Sequence, residues 1–320
     1  MISRRQTMIA GAALAAAAGL PAAEPVRAAA PKRSGPLPAV RRLQVGELEV
    51  TLIHDGHARR PLEAGFVRNA PLEQVRAALV DAFQPADALL IPFTTVIVNT
   101  GSALVAIDAG NGDSGAPGTG LWRAGLEAAG YRPDQVDLVV VSHFHGDHIN
   151  GIRLKDGTPV FPNARLLVPE QEWAFWMDDG QMSRAPEAMR GAFQNVRRVF
   201  GPEAGKVERF AGERELVPGI TAVPAIGHTP GHHAFRLSSG DQSLLVWSDT
   251  TNKPELFVRN PDWQVVFDMD GNRAAETRKR LLDMLASERM PVVGYHFPFP
   301  AVGFVAKEGT GWRYVPAFWS

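Results

Sequence analysis

Leu138-Val139-Val140-Val141-Ser142-His143-Phe144-His145-Gly146-Asp147-His148 is the stretch whose reading decides the fold. It joins a run of aliphatic residues, typical of a short strand buried on both faces, to three imidazoles and a carboxylate packed into six residues. Such groups are costly to bury unpaired, and the imidazoles repel one another once charged. A divalent cation removes both difficulties. Alternate side chains of extended backbone point the same way, so His143 and His145 can reach one ion. A turn at Gly146 then lets Asp147 and His148 aim at a neighbouring ion. The competing reading is a solvated histidine loop, and the core strand directly before the motif argues against it.

Three further apolar runs, residues 220–223, 244–247 and 291–295, have the same character. Each is followed within a few residues by His228, Asp249 or His296, as the first run is by His143. Strand ends are stiff and their loops share an edge, so polar groups there can converge. Upstream, residues 48–53 alternate like a half-buried strand, and 94–98 with 103–107 read as a hairpin around Asn99-Thr100-Gly101-Ser102. Asn69-Ala70-Pro71 opens a predicted helix to about residue 83, and others are predicted near 185–200 and 272–287. The glycines of 110–120 lack the spacing and the Lys-Ser/Thr of a phosphate loop, so a flexible loop is expected.

The length of 320 residues fits one large domain, and 45% hydrophobic content can fill its core. Charged residues nearly cancel to a net −1, which provides no basic face for nucleic acid. Cysteine is absent, so any metal must be held by His, Asp or Glu. At the start, Ser3-Arg4-Arg5 precedes an apolar, alanine-rich run over 8–20 that is too short to span a bilayer. Val26 and Ala28 stand as an A-x-A-like cleavage site. We expect a twin-arginine-type signal over 1–30 and a periplasmic or secreted protein, then a Pro/Gly/Ala linker over 31–42 and a catalytic domain over 43–320. No later segment is apolar enough for stable membrane insertion.

The histidine block resembles that of the metallo-β-lactamase superfamily. Gly227-His228-Thr229-Pro230-Gly231-His232 is similar to that family's third-histidine motif, Trp247-Ser248-Asp249-Thr250 to its bridging aspartate, and Gly294-Tyr295-His296-Phe297-Pro298 to its last ligand. The resemblance runs from about Leu43 onward and keeps the motif order. It implies an α/β fold, an αββα sandwich, with two metals at one edge between the sheets. It further implies that metal one takes His143, His145 and His228, metal two takes Asp147, His148 and His296, and Asp249 touches both. Zinc is the first expectation, with manganese, iron or cobalt as alternatives. Asp147 and Asp249 are the implied catalytic carboxylates of a hydrolase whose nucleophile is a metal-held hydroxide. Asp147 would pass a proton to the leaving group.

Within the family, the layout is most similar to the methyl parathion hydrolase and quorum-quenching lactonase group. That likeness implies a small apolar ester, lactone or phosphotriester as partner. Asn252 departs from well-known acyl-homoserine-lactone lactonases, which carry tyrosine there, and this keeps ester and phosphotriester substrates open. A β-lactamase, a glyoxalase II-like thioester hydrolase, a mononuclear-iron sulfur dioxygenase and a metal-binding protein without turnover are the rival readings. Phe93, Trp173, Trp176, Phe193 and Phe297 are the candidate pocket residues, with dimer packing as the other reading of the aromatic segment 173–177. His232 reads as a supporting histidine, and Asp108 as one that orients a ligand or caps a turn. His54 and His57 read as a surface turn. The pairs Asp178-Asp179 and Arg197-Arg198 read as solvated charge.

Overall fold

The computed structural model of the chain describes residues 36–309 and 311–318. The expected signal and the first part of the linker lie outside the described residues. Seven strands form the first sheet in sequence order: β1 (Ala39–Val45), β2 (Leu48–Pro61), β3 (Ala88–Asn99), β4 (Leu104–Ile107), β5 (Leu138–Val140), β6 (Arg165–Pro169) and β7 (Glu208–Phe210). A second seven-stranded sheet runs β14-β13-β12-β11-β10-β9-β8 from edge to edge. Its members are β8 (Arg214–Val217), β9 (Ile220–Pro224), β10 (His233–Ser239), β11 (Gln242–Val246), β12 (Val292–Val293), β13 (Val302–Glu308) and β14 (Gly311–Pro316). Because β1 begins at Ala39, the last four residues of the expected linker are strand. There, Arg41 and Arg42 pair with Leu52 and Thr51 of β2.

Period-two alternation builds the layers. Leu138 and Val140 of β5 join Val96, Val98, Ile220, Phe235 and Leu237 in the core between the sheets. Val139 and Val141 face the other way, into a cluster with Trp122, Phe193, Val196 and Phe200. The helices of that outer layer include α2 (Trp122–Ala128), α4 (Glu170–Trp176) and α6 (Glu187–Phe200); α1 (Leu72–Asp81), the short α3 (Gly146–Ile149) and α5 (Asp179–Arg184) complete the first half. On the second sheet, α7 (Gly271–Glu288) contributes Leu281, Leu282 and Leu285. The result is the αββα sandwich. Valines such as Val139 and Val140 are fully buried, each stabilising the fold by about 1.5 kcal/mol or more.

The β2–β3 pair is longer than the sequence reading had it. Pairing continues past a register shift between His54 and His57, so the two strands run on beyond their neighbours β1 and β4. Ala58, Leu89, Ile91 and Phe93 on this extension pack with Val75, Leu79, Leu256 and Phe257 in a third cluster. His54 and His57 therefore lie in β2, not in a turn, and His54 rests against Phe299 with ring centroids 5.5 Å apart. No helix among the described residues is long and apolar enough to cross a membrane.

Candidate metal centre

The strand ends deliver the ligand-type residues to one edge. β5 hands over to His143 and His145, and α3 then carries Asp147 and His148. The β9–β10 loop supplies His228, the end of β11 supplies Asp249, and the segment after β12 supplies His296. The seven side chains form two groups, His143–His145–His228–Asp249 and Asp147–His148–Asp249–His296, whose ligand atoms lie within 4.8 Å of one another in each group. In the first, His145 Nδ1 is 3.1 Å from His143 Nε2 and 2.9 Å from His228 Nε2. Asp249 belongs to both: its Oδ2 is 3.3 Å from His228 Nε2 and 3.0 Å from His296 Nε2, and its Oδ1 is 3.2 Å from His148 Nε2. Asp147 Oδ2 sits 3.5 Å from His148 Nε2 and 3.6 Å from His296 Nε2.

The far ring nitrogens are held in turn, which turns the opposite nitrogens toward the centre. His148 Nδ1 donates to Asp108 Oδ2 at 2.8 Å, His228 Nδ1 to Asp268 Oδ1 at 2.9 Å, and His296 Nδ1 to the Pro92 carbonyl at 3.0 Å. Asp108 also accepts from the Ser142 amide and hydroxyl, both at 2.8 Å, and Ser248 Oγ donates to Ser142 Oγ at 2.8 Å. One carboxylate thus ties together three strand ends. Asp108 and Ser248 take left-handed backbone, φ 61° and 48°, at a cost of about 1–3 kcal/mol each. Gly227 is required before His228, because with φ +133° a Cβ would lie 2.3 Å from the Ala274 nitrogen.

The buried titratable groups of the cluster shift one another strongly. Burial, then the neighbouring His148, His145 and His228, push His143 well below the ordinary histidine range. Burial and His228 do the same to His145. Burial would lower His148 too, but Asp249, Asp147 and Asp108 outweigh it and hold that ring well above its usual value. His228, also buried, is raised to about 9 by Asp249 and Asp268. Burial opposes the charge on Asp249, yet His296 and His148 hold it well below the carboxylate range. His148 Nε2 and Asp249 Oδ1 face each other, buried and without hydrogen-bond partners. Nitrogen and carboxylate oxygen donors so arranged fit divalent cations.

Behind His143 lies His232, whose Nδ1 donates to the Ala225 carbonyl at 2.8 Å and whose Nε2 accepts from the Asp249 amide at 3.2 Å. It supports the bridging-type carboxylate from the backbone side. Burial, with His228 as the second cause, lowers its pKa from 6.5 to about 3. The unfolded chain therefore binds more protons between those two values, and the stability His232 contributes above 6.5 is lost as pH falls toward 3. We expect the stability difference between wild type and His232→Gln to shrink on acidification below pH 6.5, approaching about 1.4 kcal/mol per pH unit. Denaturant titrations of both proteins at pH 7, 6 and 5 measure it. A pH-independent difference would overturn the assignment.

The two groups open onto a cavity of about 450 Å³ lined by Ala58, Ile91, Phe93 and Phe267 on its apolar side, with Arg60 and Asn252 among its polar residues. Of the five candidate pocket residues, only Phe93 lines it, edge-on to His296 at 5.4 Å. Trp176 and Phe193 are buried against each other in the layer outside the first sheet, because α4 turns that face inward. Trp173 packs on Phe200 with centroids 6.1 Å apart. Phe297 points to the opposite side from His296, into the inter-sheet core against Trp247 and Tyr314. The walls come instead from the extended β2–β3 pair, where Ala58 faces Ile91 in register. Alternation of 58/60 and 91/93 was the available signal.

Several supporting residues escaped the sequence reading. Glu172, fully buried, accepts from Phe144 N at 2.9 Å, Trp176 Nε1 at 2.9 Å and Gly231 N at 2.6 Å, and so clasps the loops of His143–His145 and His228. Asp268 holds His228 and is itself 3.3 Å from Arg278. The Tyr295 ring stacks on His148 with centroids 3.8 Å apart. Arg197 and Arg198 are not free surface charge: Arg197 pairs with Asp179 at 2.6 Å, and Arg198 donates to the Arg153 carbonyl at 2.7 Å, fastening α6 beside α3. Asp178 caps α5 by accepting from Gln181 N at 2.6 Å.

Comparison with known proteins agrees with this architecture. The Metallo-beta-lactamase superfamily profile matches residues 88–296. An N-acyl homoserine lactonase from Bacillus sp is 24% identical over 169 residues, covering 52% of this chain and 58% of the relative. The chain therefore matches little more than half the length of that relative. Among solved structures, AidC, described as a dizinc quorum-quenching lactonase, superposes with a TM-score of 0.84 at 24% identity, covering 89% of this chain and 99% of AidC. The hydrolase AbOPH gives 0.82 at 25% identity, covering 90% of this chain and 100% of AbOPH. A profile that takes in every one of the seven ligand-type residues, in a sandwich of this topology, places the chain in the metallo-beta-lactamase superfamily.

Proposed function

We propose that this protein is a dinuclear metal-dependent hydrolase of small, neutral, apolar esters, lactones first and phosphotriesters by the same chemistry. One observation carries the reading: Asp249 is shared by two four-residue ligand groups at the floor of an apolar-walled cavity. His143, His145 and His228 would hold one ion and Asp147, His148 and His296 the other, with Asp249 reaching both. Thiolate-free donors of this kind suit zinc, as well as manganese, iron or cobalt. When bound, two such ions supply Lewis acidity and bring the pKa of a shared water toward neutrality.

The chain's own residues do the rest. Phe93, Ile91, Ala58 and Phe267 exclude water and receive an apolar acyl or alkyl portion. Asp147 lines the cavity with its side chain 24% exposed, placed for a carboxyl oxygen to carry a proton to the departing alkoxide. The acyl-homoserine lactonase and dizinc lactonase among the similar proteins support an ester-type substrate.

The test is turnover of lactones, aryl esters, phosphotriesters, thioesters and β-lactams by metal-analysed protein. Two metals per chain with lactone or phosphotriester hydrolysis is expected. One iron per chain would favour the dioxygenase reading, and two metals with no turnover would favour a binding protein. Chelation is expected to lower activity by about 100-fold or more and to lower the melting temperature, zinc restoring both. Undiminished activity in metal-depleted protein would overturn the proposal.

A further inference from the structure

Asp55 stands on β2 at the register shift between His54 and His57 and is fully buried. Its carboxylate meets both ends of the glycine-rich loop. Oδ2 accepts from Asn111 N at 2.7 Å and from Asn111 Nδ2 at 2.8 Å, and Oδ1 accepts at 2.7 Å from Trp122 N, where α2 begins. The Asp55 carbonyl accepts from Leu121 N at 3.4 Å, and His57 N donates to the Gly118 carbonyl at 3.3 Å. Gly56, between those two residues, lies so close to the loop that a Cβ there would be 2.0 Å from the Gly118 oxygen. Asn111, Ser114 and Ala116 of the loop line the cavity, as do Ala58 and Arg60 farther along β2. One carboxylate therefore ties two parts of the lining to the same strand.

We infer that Asp55 is a positioning residue for substrate specificity: by holding both ends of the 111–121 loop against β2, it fixes the loop's share of the cavity wall and so the grip on the apolar portion of the substrate. The inference rests on the hydrolase reading above. Ordering a loop so rich in glycine costs conformational entropy, and hydrogen bonds to a buried carboxylate offset that cost at the loop ends. The wall so held meets a long acyl or alkyl chain and leaves a short one untouched. The reacting bond stays at the ligand groups, which Asp55 does not join. Its effect therefore falls on binding of the chain and not on the chemical step.

The zinc-loaded protein and its Asp55→Asn variant test this. An amide keeps one acceptor oxygen, so whichever way it turns, one loop end loses its partner. Hydrogen exchange of the wild type is expected to find the amides of Asn111 and Trp122 protected. In the variant, exchange over 111–121 is expected to rise about tenfold while α7 stays unchanged. KM for an aryl decanoate is expected to rise about tenfold, whereas KM for the aryl acetate, both kcat values and the zinc content stay within about twofold. Unprotected loop ends in the wild type would overturn the inference without any variant. So would an exchange increase that spreads to α7, a fall in zinc content, or a KM that moves equally for both esters or for neither. If the wild type hydrolyses no ester, lactone or phosphotriester, the hydrolase reading fails and the substrate role fails with it. The exchange result still shows, separately, whether Asp55 holds the loop.

Discussion

Asp249→Ala is expected to reduce hydrolysis on the order of 10³-fold or more and to lower metal content in the same protein. The carboxylate has a neighbour on every side: His228 and His296 face one oxygen and His148 the other. Removing it deprives both ligand groups of a member and leaves positively inclined imidazoles without their nearest counter-charge. Either effect alone would weaken cation binding, and here they act together. Asp249→Asn keeps the shape but not the charge, so an intermediate loss is expected. Elemental analysis alongside kcat/KM makes the measurement. Full activity at undiminished occupancy would refute a bridging role.

The second large effect concerns the fold around the centre. Glu172→Leu is expected to destabilise the protein by about 3–5 kcal/mol, a fall in melting temperature of roughly 6–15 °C. Burial raises the Glu172 pKa, so the carboxylate is held at some cost, and an apolar replacement would look favourable if the site were considered alone. Its partners reverse the sign. The amides of Phe144 and Gly231 and the indole N–H of Trp176 would all be left buried without acceptors. Glu172→Gln retains one acceptor oxygen and should lose about half as much. Urea denaturation of the three proteins measures the series. A Leu variant as stable as the wild type would show that the clasp between the two ligand loops contributes nothing.

The metal-type residues were legible in the sequence because local rules govern them. Each follows a short aliphatic run, and a strand buried on both faces can end only at the sheet edge, so the order of motifs already implied convergence. His143 and His145 share a group as period-two alternation requires, although the structure adds that one presents Nε2 and the other Nδ1. The αββα layering was implied by the resemblance to the metallo-β-lactamase superfamily, and the alternating strands and predicted helices agree with it. What the sequence concealed were the partners across long separations. Asp108 meets His148 forty positions away, and Glu172 meets Gly231 at a separation of 59. No periodicity encodes such pairs.

The pocket was the least legible part, for a related reason. Composition shows that Trp173, Trp176, Phe193 and Phe297 are large and apolar, which is equally true of core and of cavity residues. The choice between those places depends on which way a helix face or a strand end turns, and that is set by packing against distant layers. Only the folded chain brings the shifted β2–β3 pair over the metal-type cluster and leaves Phe93 facing it. Local sequence thus indicated which side chains gather at the edge, since strand boundaries fix where they emerge. Tertiary structure decided what surrounds them, because burial of a side chain is a property of the assembled layers.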